Sequence, residues 1–185
     1  MNYLKIDKCD YLNGKGVGVV LWLSGCNHRC NGCQNQKSWS VSAGQSFDER
    51  AEDELLEYLK LPYISRLTLS GGDPLHENNL QDVLNLVNKI HLSLPGKTIW
   101  LYSGYTWNEI WTPQSRIDVE GNIITGYTIE HSLRQDILKK CDVFIDGRYV
   151  DNQRDITLKW AGSQNQKVID VKRSMRENRI ILYEI

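Results

Sequence analysis

Apolar positions along this chain follow two alternating rhythms, short unbroken runs and stripes at helical spacing. Val17 to Leu23 is a continuous apolar, β-branched run, the pattern of a strand buried on both faces. Residues 48–60 then place Ala51, Leu55, Leu56 and Leu59 on one helical stripe, with acidic residues around the rest of the surface. Ser46-Phe47-Asp48-Glu49 reads as a capping box opening that helix. Arg66 to Ser70 predicts a second strand, stopped by Gly71-Gly72, and Leu80, Val83, Leu84, Val87 and Ile90 predict a second helix. Lys97 to Tyr102 is a third strand, broken at Ser103-Gly104, and Thr106–Trp111 a short helix. Residues 112–126, with Pro113, Gly121 and Gly126, read as an excursion in which Ile123-Ile124 forms one arm of a hairpin. Leu133, Ile137 and Leu138 mark another helix and Val143-Phe144-Ile145 another strand. Ile156 to Trp160 and Arg179 to Tyr183 suggest two more strands.

Strands separated by helices imply βαβ units, hence an α/β fold with a mostly parallel sheet. In such sheets ligands bind at the carboxyl ends of the strands. The unusual motifs fall there: the segment after Leu23, Gly71-Gly72-Asp73-Pro74, and Ser103-Gly104-Tyr105. A length of 185 residues predicts one domain spanning 1–185, with 112–126 as an inserted excursion.

Composition narrows the class. The 22 Lys plus Arg nearly balance 23 Asp plus Glu, so the basic excess of a nucleic-acid binder is missing. The longest apolar run is far short of the ~20 residues that cross a membrane. The start, MNYLKIDKCD, is not a basic-then-apolar leader, so a cytoplasmic protein is expected, without nucleic acid or membrane as partners. Five cysteines, an odd count, argue against a secreted disulfide framework. Cys9 and Cys141 read as buried small hydrophobes. The other three cluster.

Cys26, Cys30 and Cys33 form C-x3-C-x2-C, three thiols on one short loop. A structural zinc usually takes four ligands, with His28 as the only nearby fourth, although a lone histidine between ligands reads as solvent-facing. Thiolates equally hold iron–sulfur clusters, and three of them on a cubane leave one iron open. Reduced, unliganded thiols remain a third reading.

The cysteine loop resembles the signature of the radical S-adenosylmethionine superfamily, and Gly71-Gly72-Asp73-Pro74 is similar to its Gly-Gly-Glu-like turn, with Asp for Glu. Several stretches resemble, within it, the activases of anaerobic ribonucleoside-triphosphate reductase. They are Cys30-Asn31-Gly32-Cys33-Gln34-Asn35 with Trp39 behind, Leu69 to Leu75, Trp100 to Thr106, Asp142 to Tyr149 and Leu158 to Val171. Within the last, Gly162-Ser163-Gln164-Asn165-Gln166 is similar to an Arg-Gly-Ser-x-Asn-Gln-Arg segment, with Ala161 in place of the first Arg. The resemblance implies a partial, incomplete β/α barrel. It implies a 4Fe–4S cluster on Cys26, Cys30 and Cys33 with one open iron, acting catalytically through that cluster. The open iron chelates S-adenosylmethionine, which is cleaved reductively to methionine and a 5′-deoxyadenosyl radical that takes a glycine hydrogen. It places the cofactor against Gly32, Cys33, Gln34, Gly71, Gly72, Asp73, Ser103 and Asp146, although Ser103 also reads as a turn hydroxyl, and Asp146 with Arg148 as a surface ion pair. The implied partners are the large anaerobic ribonucleotide reductase subunit and an electron donor such as reduced flavodoxin. Trp39 is expected to cover the cofactor or meet the partner. The alternatives are activation of another glycyl-radical enzyme, for example of the formate-lyase type, and a non-enzymatic zinc or iron–sulfur module.

Overall fold

The computed structural model describes residues 1–117, 120 and 123–184. Its main sheet contains β1 (Asn2–Asp10), β2 (Gly18–Leu23), β3 (Gln45–Ser46), β4 (Arg66–Gly71), β5 (Thr98–Tyr102), β8 (Val143–Asp146) and β9 (Lys167–Asp170), in the order β3-β1-β2-β4-β5-β8-β9. The four central strands, β2, β4, β5 and β8, run parallel. Each parallel step needs a long crossover. These are supplied by α1 (Glu49–Lys60), α2 (Leu80–Ser93), and α3 (Trp107–Trp111) with α4 (Ile129–Lys140). Between α3 and α4 a separate antiparallel hairpin, β6 (Gln114–Ile117) with β7 (Ile123–Gly126), occupies the expected excursion. Gly121 of that excursion lies outside the described residues.

The mostly parallel expectation holds for the centre alone. Both flanks are antiparallel: β1 on β2, β3 on β1, and β9 on β8. The fold is thus a mixed α/β sheet of seven strands that is not closed. The sequence pattern missed β1 because its side chains are mostly exposed or half-buried, which blurs the apolar run. It also missed β9 and α5 (Val171–Glu177), both short. Ile156–Trp160 forms turns instead of a strand, and Arg179–Tyr183 contributes one bridge, Leu182 to Ile169. The cap of α1 is Asp48, whose carboxylate accepts from Ala51 N–H; Ser46 lies in β3.

One sheet face carries Leu21, Leu69, Leu101 and Phe144 into a single core with Leu55 and Leu59 of α1, Val83 and Val87 of α2, and Ile137 and Leu138 of α4. The opposite face presents Arg66, Thr68, Trp100, Val143 and Ile145. There Arg66 is fully buried, bonding Thr68 Oγ1 at 3.0 Å and Asp10 Oδ2 at 2.5 Å. A Cβ on Gly14 or Gly18 would fall 2.6 Å or 2.0 Å from that guanidinium, so the β1–β2 turn closes over it on glycine. Trp160 packs edge-on to Trp100 at 4.8 Å, bringing the segment after β8 down across this face. Both layers leave the carboxyl ends of β2, β4, β5 and β8 on one rim.

Candidate active site

The cysteine loop leaves β2 at Ser24 and is tied to the segment behind it, Gly25 N–H to Ser38 O and Cys26 N–H to Trp39 O. Gly25 and Gly32 take positive φ, as does Arg29, so the turn sequence is adapted to this path. The Arg29 guanidinium lies over the Trp39 ring at 5.1 Å, and the Trp39 indole N–H is buried without a hydrogen-bond partner.

Backbone donors converge on the sulfurs. Asn35 N–H approaches Cys33 Sγ at 3.3 Å. Burial pushes the Cys26 thiol up to about 11, against donation from the His28 and Arg29 N–H groups, with the Asp73 carboxylate adding to the rise. Burial also raises Cys30, opposed by the nearby Tyr149 N–H. N–H groups aimed at sulfur favour its anionic form, the form that binds metal. This donor set therefore fits a thiolate-held centre. Among the described residues no three Cys, His, Asp or Glu side chains gather around one ion. A cubane does not require that, because each thiolate binds a different iron.

The Gly71-Gly72-Asp73 turn is knitted into the same loop. Gly72 N–H donates to Leu23 O and Asp73 N–H to Gly25 O, both at 2.7 Å. A Cβ at Gly72 would sit 2.6 Å from Gly25 O, and one at Gly71 2.7 Å from Leu23 O. The glycines admit the neighbouring backbone. Asp73, 2% exposed, gathers four donors: Leu75 N–H (2.8 Å), Ser103 O–H (2.8 Å), Gly104 N–H (3.0 Å) and His28 Nε2 (2.6 Å).

His28 is not solvent-facing; its side chain is 8% exposed. Arg148 Nε donates to its Nδ1 at 3.1 Å, which leaves the ring proton on Nε2, facing Asp73. Tyr105 meets the ring edge-on at 4.8 Å, and a Cβ on Gly104 would fall 2.2 Å from it. Arg148 continues to Glu109 Oε1 at 3.0 and 3.1 Å. Burial works against the Glu109 carboxylate, yet Thr106 and Arg148 hold its carboxyl below the usual range. Asp73, His28, Arg148 and Glu109 thus link the ends of β2, β4 and β8 with α3. Nothing in the sequence pattern singled out His28 or Glu109 for this; their pairing depends on the folded chain.

Ser103 joins the Asp73 cluster, and its Oγ also accepts from Tyr105 N–H. Asp146 stands apart: its carboxylate accepts from Trp107 and Lys167 N–H, and burial raises its carboxyl above the usual range. Gly32 and Gln34 are exposed on the loop. Cys141 is buried as expected, but Cys9 is exposed on the edge-side strand β1.

A family model described as a 4Fe-4S single cluster domain matches residues 12–169. Three similar proteins are each named anaerobic ribonucleoside-triphosphate reductase-activating protein. That of Haemophilus influenzae is 40% identical over 90% of this chain and 96% of its own. That of Enterobacteria phage T4 is 38% identical, over 91% and 93%. That of Escherichia coli is 35% identical, over 91% and 97%. The chain belongs to this family of activating proteins. Membership makes an iron–sulfur cluster its cofactor class, and the three-thiol loop is where the donor chemistry for one is found.

Proposed function

We propose that this protein activates an anaerobic ribonucleoside-triphosphate reductase by generating a glycyl radical on it. The family, at 35–40% identity across nine-tenths of the chain, carries that reading. When bound, a 4Fe–4S cluster with S-adenosylmethionine supplies a 5′-deoxyadenosyl radical able to take a glycine hydrogen. Cys26, Cys30 and Cys33 hold three irons, and the N–H groups of His28, Arg29, Tyr149 and Asn35 stabilise their thiolates. Asp73 fixes His28, Ser103 and Gly104, and so sets the distance between the cysteine loop and the ends of β4 and β5. S-adenosylmethionine binds at this rim, against Gly32, Cys33 and Gln34 and the strand-end residues Gly71, Gly72, Asp73, Ser103 and Asp146, where the buried carboxylates of Asp73 and Asp146 act by holding the backbone around them.

The open seven-stranded sheet is read as the incomplete barrel of the radical S-adenosylmethionine type, in one domain with a hairpin insertion. An unclosed rim admits a loop of a macromolecule, and the reductase docks there, beside Trp39 and the segments after 103 and 147. An external donor such as reduced flavodoxin supplies the electron. Among the described residues no helix is long and apolar enough to cross a membrane.

Anaerobic reconstitution followed by S-adenosylmethionine and dithionite tests this. A brown protein releasing methionine is expected, with Cys30→Ala losing both properties and Cys141→Ala keeping its iron. A colourless protein that binds zinc and leaves S-adenosylmethionine intact would count against it.

A further inference from the structure

Three consecutive carbonyls form the root of the cysteine loop, and each accepts from the segment that begins with the Gly-Gly-Asp turn. Gly72 N–H donates to Leu23 O at 2.7 Å, Asn79 Nδ2 to Ser24 O at 2.8 Å, and Asp73 N–H to Gly25 O at 2.7 Å. Cys26 follows directly. Of the three, the middle carbonyl is held by a side chain. The same Asn79 amide also donates to Asp73 O at 3.0 Å. One side chain, 2% exposed, thus joins the peptide ahead of the cysteines to the peptide of the buried carboxylate.

That peptide needs holding. Gly25 takes φ +92°, and a glycine is permissive enough that nothing in the residue itself fixes the plane of the peptide before it. Gly25 N–H donates to Ser38 O at 2.7 Å, and Asn79 holds the opposite end of the same peptide through Ser24 O. An asparagine at the start of a helix usually caps that helix. Asn79 precedes α2 but makes no side-chain cap, and its backbone is helical, at φ −102° and ψ −20°. Its amide is committed to the site instead.

We propose that Asn79 is a positioning residue that locks the root of the cysteine loop to the Gly71–Asp73 turn, so that the S-adenosylmethionine site is formed before the cofactor arrives. This role rests on the reading of that turn as one wall of the site. A preformed wall spares binding the cost of ordering the loop, and so acts on affinity.

Asn79→Ala and the near-isosteric Asn79→Asp both lose the two donations, whereas Asn78→Ala, at the exposed neighbour, keeps them. In the full reduced chain without cluster, hydrogen exchange at the Gly25 and Asp73 amides should quicken about tenfold relative to Leu101 in the core. In the reconstituted protein with dithionite, both Asn79 variants should raise the KM for S-adenosylmethionine cleavage about three- to tenfold at unchanged kcat, the mark of lost binding. Asn78→Ala should match the wild type in both measurements. A residue that only stabilised the fold would lower the active fraction and leave KM alone. Unchanged exchange at Gly25 and Asp73, or an unchanged KM in Asn79 variants that hold full iron, overturns this proposal alone. A reconstituted wild-type chain that does not bind S-adenosylmethionine overturns the reading of the turn and this proposal with it.

Discussion

Replacing Asp73 by Ala should destabilise the apo protein strongly, because the structure assigns that carboxylate to the fold. Four donors lose their acceptor at once: the N–H groups of Leu75 and Gly104, the Ser103 hydroxyl and the His28 ring N–H. A buried donor left without a partner costs about 1–3 kcal/mol. The site is 2% exposed, but the vacated volume can admit a water that takes up some of these bonds. The net loss is then about 3–5 kcal/mol, the range for removing one member of a buried charged network. Asp73→Asn keeps the shape but turns one acceptor into a donor, and should lose about 1–3 kcal/mol. Urea unfolding of the reduced apo protein reads this directly. With a slope of about 1–3 kcal/mol/M the Asp73→Ala midpoint should fall by about 1 M or more. An unchanged midpoint, with weaker S-adenosylmethionine binding, would refute the reasoning and return Asp73 to direct ligand binding.

Further outcomes follow from particular contacts. Gly104→Ala puts a Cβ 2.2 Å from the His28 ring and should destabilise by about 1–3 kcal/mol; a thermal melt equal to wild type would show that the ring is not held there. Arg66→Met leaves Asp10 buried without its cation, at about 3–5 kcal/mol near neutral pH. Burial opposes ionisation of Asp10, but Asn13 and Arg66 hold its carboxyl below the usual range, so that deficit should shrink below about pH 4, as denaturation at two pH values will show. Burial pushes the His76 imidazole below its usual range, so the unfolded chain takes the proton first. Stability should therefore fall as pH drops below about 6.5, and His76→Gln should flatten that slope in the same assay.

The legible parts of the fold were those that a local pattern determines. Val17–Leu23, Arg66–Ser70, Lys97–Tyr102 and Val143–Ile145 are largely buried runs, and each matches a central strand to within a residue at either end. The short helix after Thr106 forms, opened by a Thr106–Glu109 capping box. The flanks were hidden because β1 is half-exposed, and because β9 fully buries only Ile169 of its four residues, whereas the equally short β8 buries all four. At the site, the cysteine spacing and the placement of the motifs at strand ends were visible in the chain. What those motifs touch was not. His28 meets Asp73 45 residues away and Arg148 120 residues away, so its burial follows from tertiary packing. The Gly71-Gly72 pair looked like room for a ligand, and in the fold that room holds the backbone of Leu23 and Gly25.

The most direct measurement is electron paramagnetic resonance of the reconstituted protein mixed anaerobically with the reductase, S-adenosylmethionine and dithionite. The account predicts an organic radical on the reductase whose main splitting collapses when its glycines carry deuterium at Cα, with methionine released alongside. An intact cluster and bound reductase, with no radical and no methionine, would contradict it.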